Sequence, residues 1–503
     1  MKKAAWIFKP SVIITAIALI AAIVLGSVCA RTADSSRMSG DSSYMTSENL
    51  ALSASVDADG FGDQNLTDGD NSSVYRTSAA FGNAVTLDFG GEMSFNTVII
   101  KEQGLNVQSF TLSASSDGET YTPVYSGDKI EYHRLCVVGD VTARYLRLTV
   151  EQADGTVGLK ELEVYNEPPR EREGFMMAGY ISGSWLDIAA DPELTQEQRR
   201  RQILADMANY RLDGMTHLFF YCGYGFDTDG NLYLGAAEDD QGMRESALAL
   251  VMDCLRTTAP GAKISMVLGM NDPAHVNSAM DTNRDAFIAS IIKNLNRFGF
   301  DGLDIDYEFP QSDEDFRIFN EFLVEVKRRM IAESNAGERA ILSCAFGTRD
   351  IHCTQQAIDA IDIVNCMAYD IMDQDGQHSS FWGCAVQPAI YLESVGFSRD
   401  QINLGIPFYG TQTEALMEQY IYNALEHQDY FNNFYTVNSY SDGSPTEVYF
   451  NSPAMVRDKT AYALLSGYGG IMVWHFTCDV PYESEQSLWR AAFDALELYG
   501  GEA

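Results

Sequence analysis

From Phe175 onward, short apolar runs alternate with amphipathic helical stretches, and the alternation occurs eight times. The runs are FMMAGYIS from Phe175, MTHLFFYC from Met215, KISMVLGM from Lys263 and FDGLDIDYE from Phe300. They continue with AILSCAFG from Ala340, IDIVNCMAYD from Ile361, INLGIPFYG from Ile402 and GGIMVWHF from Gly469. Stretches such as DFRIFNEFLVEVKRRMIAE separate them. Near-continuous apolar strands alternating with helices suit a parallel sheet buried on both faces. Eight such units predict a (β/α)8 TIM barrel over residues 175–500, with chemistry at the C-terminal ends of its strands.

The chain of 503 residues has room for a second domain. Over residues 49–166 the pattern is short alternating runs such as AVTLDFG, FNTVIIKE, SFTLSAS, YLRLTVE and KELEVY, with Gly and Asp turns, which predicts a β-sandwich of jelly-roll type. Residues 31–48 are Ser-rich and read as a tether, and residues 167–174, NEPPREREG in context, as a Pro-rich charged linker. Residues 1–30 have the parts of an export signal: Lys2, Lys3 and Lys9, an apolar run from Ser11 to Val28, and Val28-Cys29-Ala30 as a cleavage site. Cleavage after Ala30, retention as a membrane anchor and lipidation at Cys29 are the three outcomes, and export to the cell surface or medium is expected in each. The 34 Lys and Arg against 71 Asp and Glu leave a net charge of −37, which repels nucleic acid and anionic lipid but not a neutral substrate. Cys222, Cys344 and Cys366 read as small buried hydrophobes; Cys353, Cys384 and Cys478 leave a disulfide open.

FDGLDIDYEFP, Phe300 to Pro310, sets carboxylates into an otherwise buried strand. Residues two apart share a face, so Asp304, Asp306 and Glu308 point into the barrel while Leu303, Ile305 and Tyr307 face the helices. An unpaired buried ion costs on the order of several kcal/mol, so such a stack must share protons or hydrogen bonds. Mutual repulsion keeps a proton among them and leaves the outermost group, Glu308, an acid near neutral pH with Asp306 beneath it.

The stretch Asp301 to Glu308 resembles the DGxDxDxE signature of glycoside hydrolase family 18, which includes chitinases and endo-β-N-acetylglucosaminidases. MAYD (Met367 to Asp370), LGIPFYG, GGIMVW and GYISGSW, ending in Trp185, are similar to the family's sixth, seventh, eighth and first strands. The resemblance implies an enzyme that needs no cofactor and acts on an N-acetylglucosamine-containing glycan as a monomer. It implies substrate-assisted catalysis through an oxazolinium ion, with Glu308 as acid, Asp306 holding the acetamido group, Tyr369 orienting it and Asp304 sharing a proton with Asp306. Trp474 would be the platform under the scissile sugar, with Asp370, Tyr409, Trp185 and Trp382 as further sugar contacts. Asp370 could equally be a helix N-cap, and His378 reads as a loop residue. One departure stands out: the third strand ends VLGM where the family has Ser-x-Gly-Gly, so Val267 offers no polar contact to the acidic stack. The segment after Gly410 is too short for a large insert, which predicts an open cleft.

NLTDGDNSSVYRT with the strand runs after it resembles the discoidin, or coagulation-factor type C, family, to whose fold carbohydrate-binding family 32 belongs. The resemblance implies either a structural calcium ion held by Asp68, Asp70, Ser73 and Glu161 or an Asp-rich turn without one, and a sugar-binding role through tethering. A chitinase-like hydrolase of β-1,4-linked N-acetylglucosamine is the leading reading. An endo-β-N-acetylglucosaminidase acting on N-glycans, a non-catalytic lectin and an adhesion module are the alternatives.

Overall fold

The computed structural model describes residues 42–77, 84–170, 174–236, 239–370, 379–411, 419–425, 430–439 and 442–500. The N-terminal apolar run, Cys29 and His378 lie outside them; among the described residues no helix is long and apolar enough to cross a membrane.

Eight parallel strands close into a barrel: Met176–Ile181, His217–Phe220, Lys263–Met270, Gly302–Tyr307, Ile341–Phe346, Ile363–Cys366, Ile402–Pro407 and Gly470–Trp474. Each falls inside one of the apolar runs read from the sequence. Leu303, Ile305 and Tyr307 join the large core between strands and helices, while Met176, Ala178, Tyr180, Phe219, Val267, Ile363 and Met472 fill the barrel interior. Helix Asp313–Glu333 begins where Ser312 accepts the backbone N–H of Asp315, and it buries Phe319, Phe322, Leu323 and Val326 against the strands.

The N-terminal domain is an antiparallel sandwich whose strands Ala84–Glu102 and Arg134–Ala153 are long enough to bend through both layers. It is not a tethered module. Ile99, Leu135, Val137 and Tyr165 belong to the same continuous core as the barrel. Asp458, on helix Pro453–Leu465, which is buried except at Arg457, accepts from Tyr125 Oη at 2.6 Å and from the Val137 N–H at 2.9 Å, with Arg134 3.6 Å away. Glu131 accepts the Trp382 N–H at 2.6 Å, and Thr97 meets Tyr499 Oη at 2.7 Å.

Both segments expected to be flexible are docked where they are described. Glu167 is buried and accepts from the backbones of Thr46 and Ser47 and from Arg170. Arg170 reaches the Leu465 carbonyl on the barrel, and Ser42 joins buried Lys101 and Glu163. A polar composition reads as linker, but one buried carboxylate collecting the donors of both segments fixes them instead. Cys353 and Cys478 carry free thiols, so neither bridges the other or Cys384.

Between the seventh and eighth strands the chain does build an insert, an antiparallel sheet of four short strands ordered Gln419–Ile421, Tyr409–Thr411, Pro445–Tyr449, Phe434–Asn438. The segment was too short for a large subdomain but sufficient for this sheet.

Two expectations follow from these contacts. Asp458→Ala removes the partner of a buried Arg134 and two further donors, and should lower the free energy of unfolding by about 3–5 kcal/mol in a single transition reporting on both domains. Calorimetry with a domain-specific fluorescence probe checks this; two separate transitions in the parent would contradict it.

The second concerns pH. Burial pushes Glu102 up to about 7, Asp479 to about 7 and Asp304 to about 6, against ordinary values of 4.5 for Glu and 3.8 for Asp. Between about pH 4 and 7 the folded chain holds protons that the unfolded chain has released, so stability falls as pH rises through that window. The melting midpoint should be higher at pH 5 than at pH 8, and the reverse order in a calorimetric series would refute the account.

Candidate active site

The fourth strand starts in close quarters: a Cβ on Gly302 would lie 2.4 Å from the Ile341 carbonyl oxygen, so only glycine lets the fifth strand pair there. From that point the alternation runs as the sequence predicts. Asp304 is wholly buried inside the barrel, Asp306 is partly buried above it, and Glu308 emerges past the strand's end, its N–H bonded to the Met270 carbonyl at 2.8 Å.

Asp304 is saturated with donors. Tyr180 Oη lies 2.7 Å from Oδ2, and Ser343 Oγ and Asn365 Nδ2 lie 2.5 Å and 3.2 Å from Oδ1. Asn403 holds Asn365 in turn at 3.2 Å. Burial raises its pKa to about 6 while these three donors pull it down. The donors of Asp304 are thus Tyr180, Ser343 and Asn365, and its charge adds to what raises Asp306 above it. The structure also locates the contact that Val267 cannot make. Val267 and Ser343 flank Asp304 in register on opposite sides, and Ser343 supplies the hydroxyl from the fifth strand.

Asp306 and Glu308 are hydrogen-bonded to each other. Burial, then the charges of Glu308 and Asp304, push Asp306 well above the usual carboxylate range. Glu308 is raised too, by desolvation first and by Asp370 second, although part of its surface meets solvent. The pair is held back from full ionisation and so retains a proton between the two groups. Asp306 Oδ1 is buried without a hydrogen-bond partner, and so is available to a donor entering from the mouth.

Aromatic side chains enclose this pair. Trp474, at the end of the eighth strand, is half-buried and meets Tyr180 and Tyr221 edge-on, with centroids 5.2 and 6.1 Å apart. Tyr369 follows the sixth strand, and its hydroxyl is raised by burial and by the Asp306 and Asp370 charges. Tyr409 donates to Asp370 Oδ2 at 2.7 Å. Tyr221 has no motif to announce it, yet its hydroxyl fills the space a Cβ on Gly269 would need, 1.8 Å from it. Gly269 is the register neighbour of Asp306, which places the Tyr221 phenol beside the acid pair.

Some expected contacts are not at the site. Trp185 is 0% exposed; it faces the core from helix Ser184–Ala190, donates to Asp206 and packs on Phe476. Trp382 meets Tyr132 of the sandwich at 5.7 Å and belongs to the domain interface. Tyr409 is 2% exposed and positions Asp370 rather than presenting a wall of its own.

In the sandwich, the four residues expected to hold calcium are only partly assembled. Glu161 is buried with neither carboxyl oxygen meeting a donor, and its pKa is pushed up to about 9 by burial, by Glu163 and by Asp68 beside it. Asp70 spends its carboxylate on Ser72, and the Ser73 hydroxyl bonds the Asn65 carbonyl. Among the described residues no group of three or more His, Cys, Asp or Glu is arranged around a metal position.

Residues 193–479 match Glycosyl hydrolases family 18, and residues 49–162 match the F5/8 type C domain. The chain is 25% identical over 221 residues to Nod factor hydrolase protein 1 of Medicago truncatula, covering 39% of this chain and 57% of that protein. It is 23% identical over 321 residues to Chitinase 1 of Aphanocladium album, covering 54% of this chain and 74% of the relative. Among solved structures, the GH18 chitinase ChiB of Flavobacterium johnsoniae superposes with a TM-score of 0.48 at 20% identity, over 66% of this chain and 98% of that one. The family match spans more than half of the chain and contains the whole acid stack, so the protein belongs to glycosyl hydrolases family 18, a glycoside hydrolase carrying an N-terminal F5/8 type C domain.

Proposed function

We propose that the protein is an exported, retaining, chitinase-like hydrolase that cuts β-1,4-linked N-acetylglucosamine with help from the substrate's own acetamido group. The observation that carries this reading is the hydrogen-bonded Asp306–Glu308 pair at the barrel mouth, set among Tyr369, Tyr221 and Trp474. Trp474 offers a broad apolar face to the scissile sugar. Glu308 gives a proton to the glycosidic oxygen as the C–O bond breaks. The acetamido carbonyl oxygen of the sugar on the non-reducing side attacks the anomeric carbon and closes an oxazolinium ring. The shared proton leaves with that transfer, so Asp306 stands as a carboxylate that accepts the acetamido N–H and balances the ring's positive charge. Tyr369 donates to the acetamido oxygen and aims it. Glu308, now ionised, deprotonates the incoming water, and the sugar leaves with its configuration retained.

Residues 1–30 are read as the export signal, and N-terminal sequencing of protein recovered from the medium tests cleavage after Ala30. The unpartnered carboxyl of Glu161 and its neighbour Asp68 are read as the core of a calcium site, an oxygen-only set suited to that ion. Millimolar calcium should then raise the melting midpoint by several degrees, and Glu161→Gln should abolish the rise. Equal midpoints with calcium and with chelator would leave only an Asp-rich turn.

Glu308→Gln should lower kcat by about 10²–10⁴-fold, and Tyr369→Phe by about 10²-fold with little change in KM. Mass spectrometry of products from chitin oligosaccharides and from a high-mannose glycoprotein checks the substrate. Chitin fragments from the parent chain support the proposal, and released N-glycans would install an endo-β-N-acetylglucosaminidase instead. Sugar binding without cleavage by parent and variant alike would make it a lectin.

A further inference from the structure

Four phenols surround the acid stack, and three of them are accounted for. Tyr180 donates to Asp304, Tyr409 donates to Asp370, and Tyr369 is assigned above to the acetamido oxygen. Tyr221 is the fourth. It directly follows the second strand, and its N–H bonds the Ile181 carbonyl at 3.0 Å, which ties its backbone to the end of the first. Its ring then crosses to the third strand, where the hydroxyl fills the space that a Cβ on Gly269 would need. Only glycine admits so close an approach. From the eighth strand, Trp474 braces the ring edge-on, with centroids 6.1 Å apart. Gly269 and Asp306 are register neighbours, on strands about 4.8 Å apart whose paired residues face the same way. The Tyr221 hydroxyl therefore occupies the side-chain place next to that of Asp306. The third strand brings no polar side chain of its own there, since it ends Val267, Leu268, Gly269, Met270.

Asp306 Oδ1 is buried without a hydrogen-bond partner, and among the described residues the Tyr221 hydroxyl has none either. While the acid pair keeps its proton, Asp306 is spared a full charge. Once that proton leaves, Asp306 is an anion where burial and the Asp304 charge both oppose ionisation. The acetamido N–H satisfies one of its oxygens and leaves the other bare, and a buried carboxylate needs donors on both. We propose that Tyr221 is a positioning residue of the reaction: its hydroxyl closes on Asp306 as Asp306 ionises, and holds that carboxylate toward the acetamido group. The proposal rests on the substrate-assisted reading above. Because the two side chains occupy adjacent places, rotation about their own bonds brings them together. Burial, then the charges of Asp306 and Glu308, hold the Tyr221 pKa above its ordinary value of 10. The phenol therefore stays neutral, donates a hydrogen bond and adds no further negative charge to the stack.

The test compares the full chain with Tyr221→Phe, which removes the hydroxyl and keeps the ring between Gly269 and Trp474. On chitin oligosaccharides kcat should fall by about 10- to 100-fold while KM changes by less than about threefold, the loss expected for one hydrogen bond to a charged group. The acidic limb of the kcat profile should move up by about one unit, because ionised Asp306 has lost a donor. Tyr221→Ala combined with Gly269→Ser returns a hydroxyl to the same place and should recover part of kcat. Tyr221→Ala combined with Gly269→Ala fills that place without a hydroxyl and should not. Equal kcat and pH profiles in parent and Tyr221→Phe would overturn the proposal. So would a loss confined to KM, which marks a sugar contact, or equal rates in the two double variants. A parent that cuts no chitin oligosaccharide would sink the substrate reading by itself, and carboxyl-carbon NMR would then decide Tyr221 without substrate. There Asp306 titrating about one unit higher in Tyr221→Phe supports the proposal, and identical titrations in the two chains overturn it. Matching melting midpoints for all variants establish that the fold is unchanged.

Discussion

Two carboxyl groups that share a proton at the mouth of a closed barrel set the terms for everything around them. Asp306 and Glu308 remain partly protonated because desolvation and neighbouring negative charge make full ionisation too costly. The Asp304 carboxylate below them adds to that cost, and other donors secure it. Tyr180, Ser343 and Asn365 provide that security from the first, fifth and sixth strands, with Asn403 on the seventh bracing Asn365. The barrel thus commits much of its interior polar capacity to one buried charge, so that the pair above it can keep its proton.

The same logic of buried polar groups joins the two domains. Asp458 of the barrel accepts from Tyr125 and lies beside Arg134 of the sandwich, Glu131 of the sandwich accepts from the Trp382 N–H of the barrel, and the apolar core runs through the same boundary. Helix Pro453–Leu465 buries every residue but Arg457, so the sandwich acts as part of the barrel's own packing. Whatever the sandwich binds, it holds at a fixed position relative to the cleft.

Much of this was legible in the sequence, for identifiable reasons. Period-two alternation within Leu303–Glu308 placed each side chain on its correct face, and the eight apolar runs marked all eight barrel strands. Aromatic residues were legible less often. Trp474 and Trp185 both follow glycine-containing strands, but Trp185 sits at the start of a helix that turns it into the core, a rotation no short motif records. Tyr221 and Ser343 escaped because their roles depend on register between strands distant in sequence. The docked segments escaped because Glu167, a charged residue among polar neighbours, reads as solvent-exposed until its donors are seen around it.

The central claim is that Asp306 and Glu308 hold a shared proton in the resting protein, and carboxyl carbon NMR on chain labelled at Asp and Glu tests it most directly. The account predicts that the Asp306 carboxyl carbon keeps its protonated shift well above the pH at which exposed Asp residues ionise, and that Asp306→Asn changes the titration of Glu308. Two independent titrations near pH 4, each unaffected by loss of the other group, would contradict it.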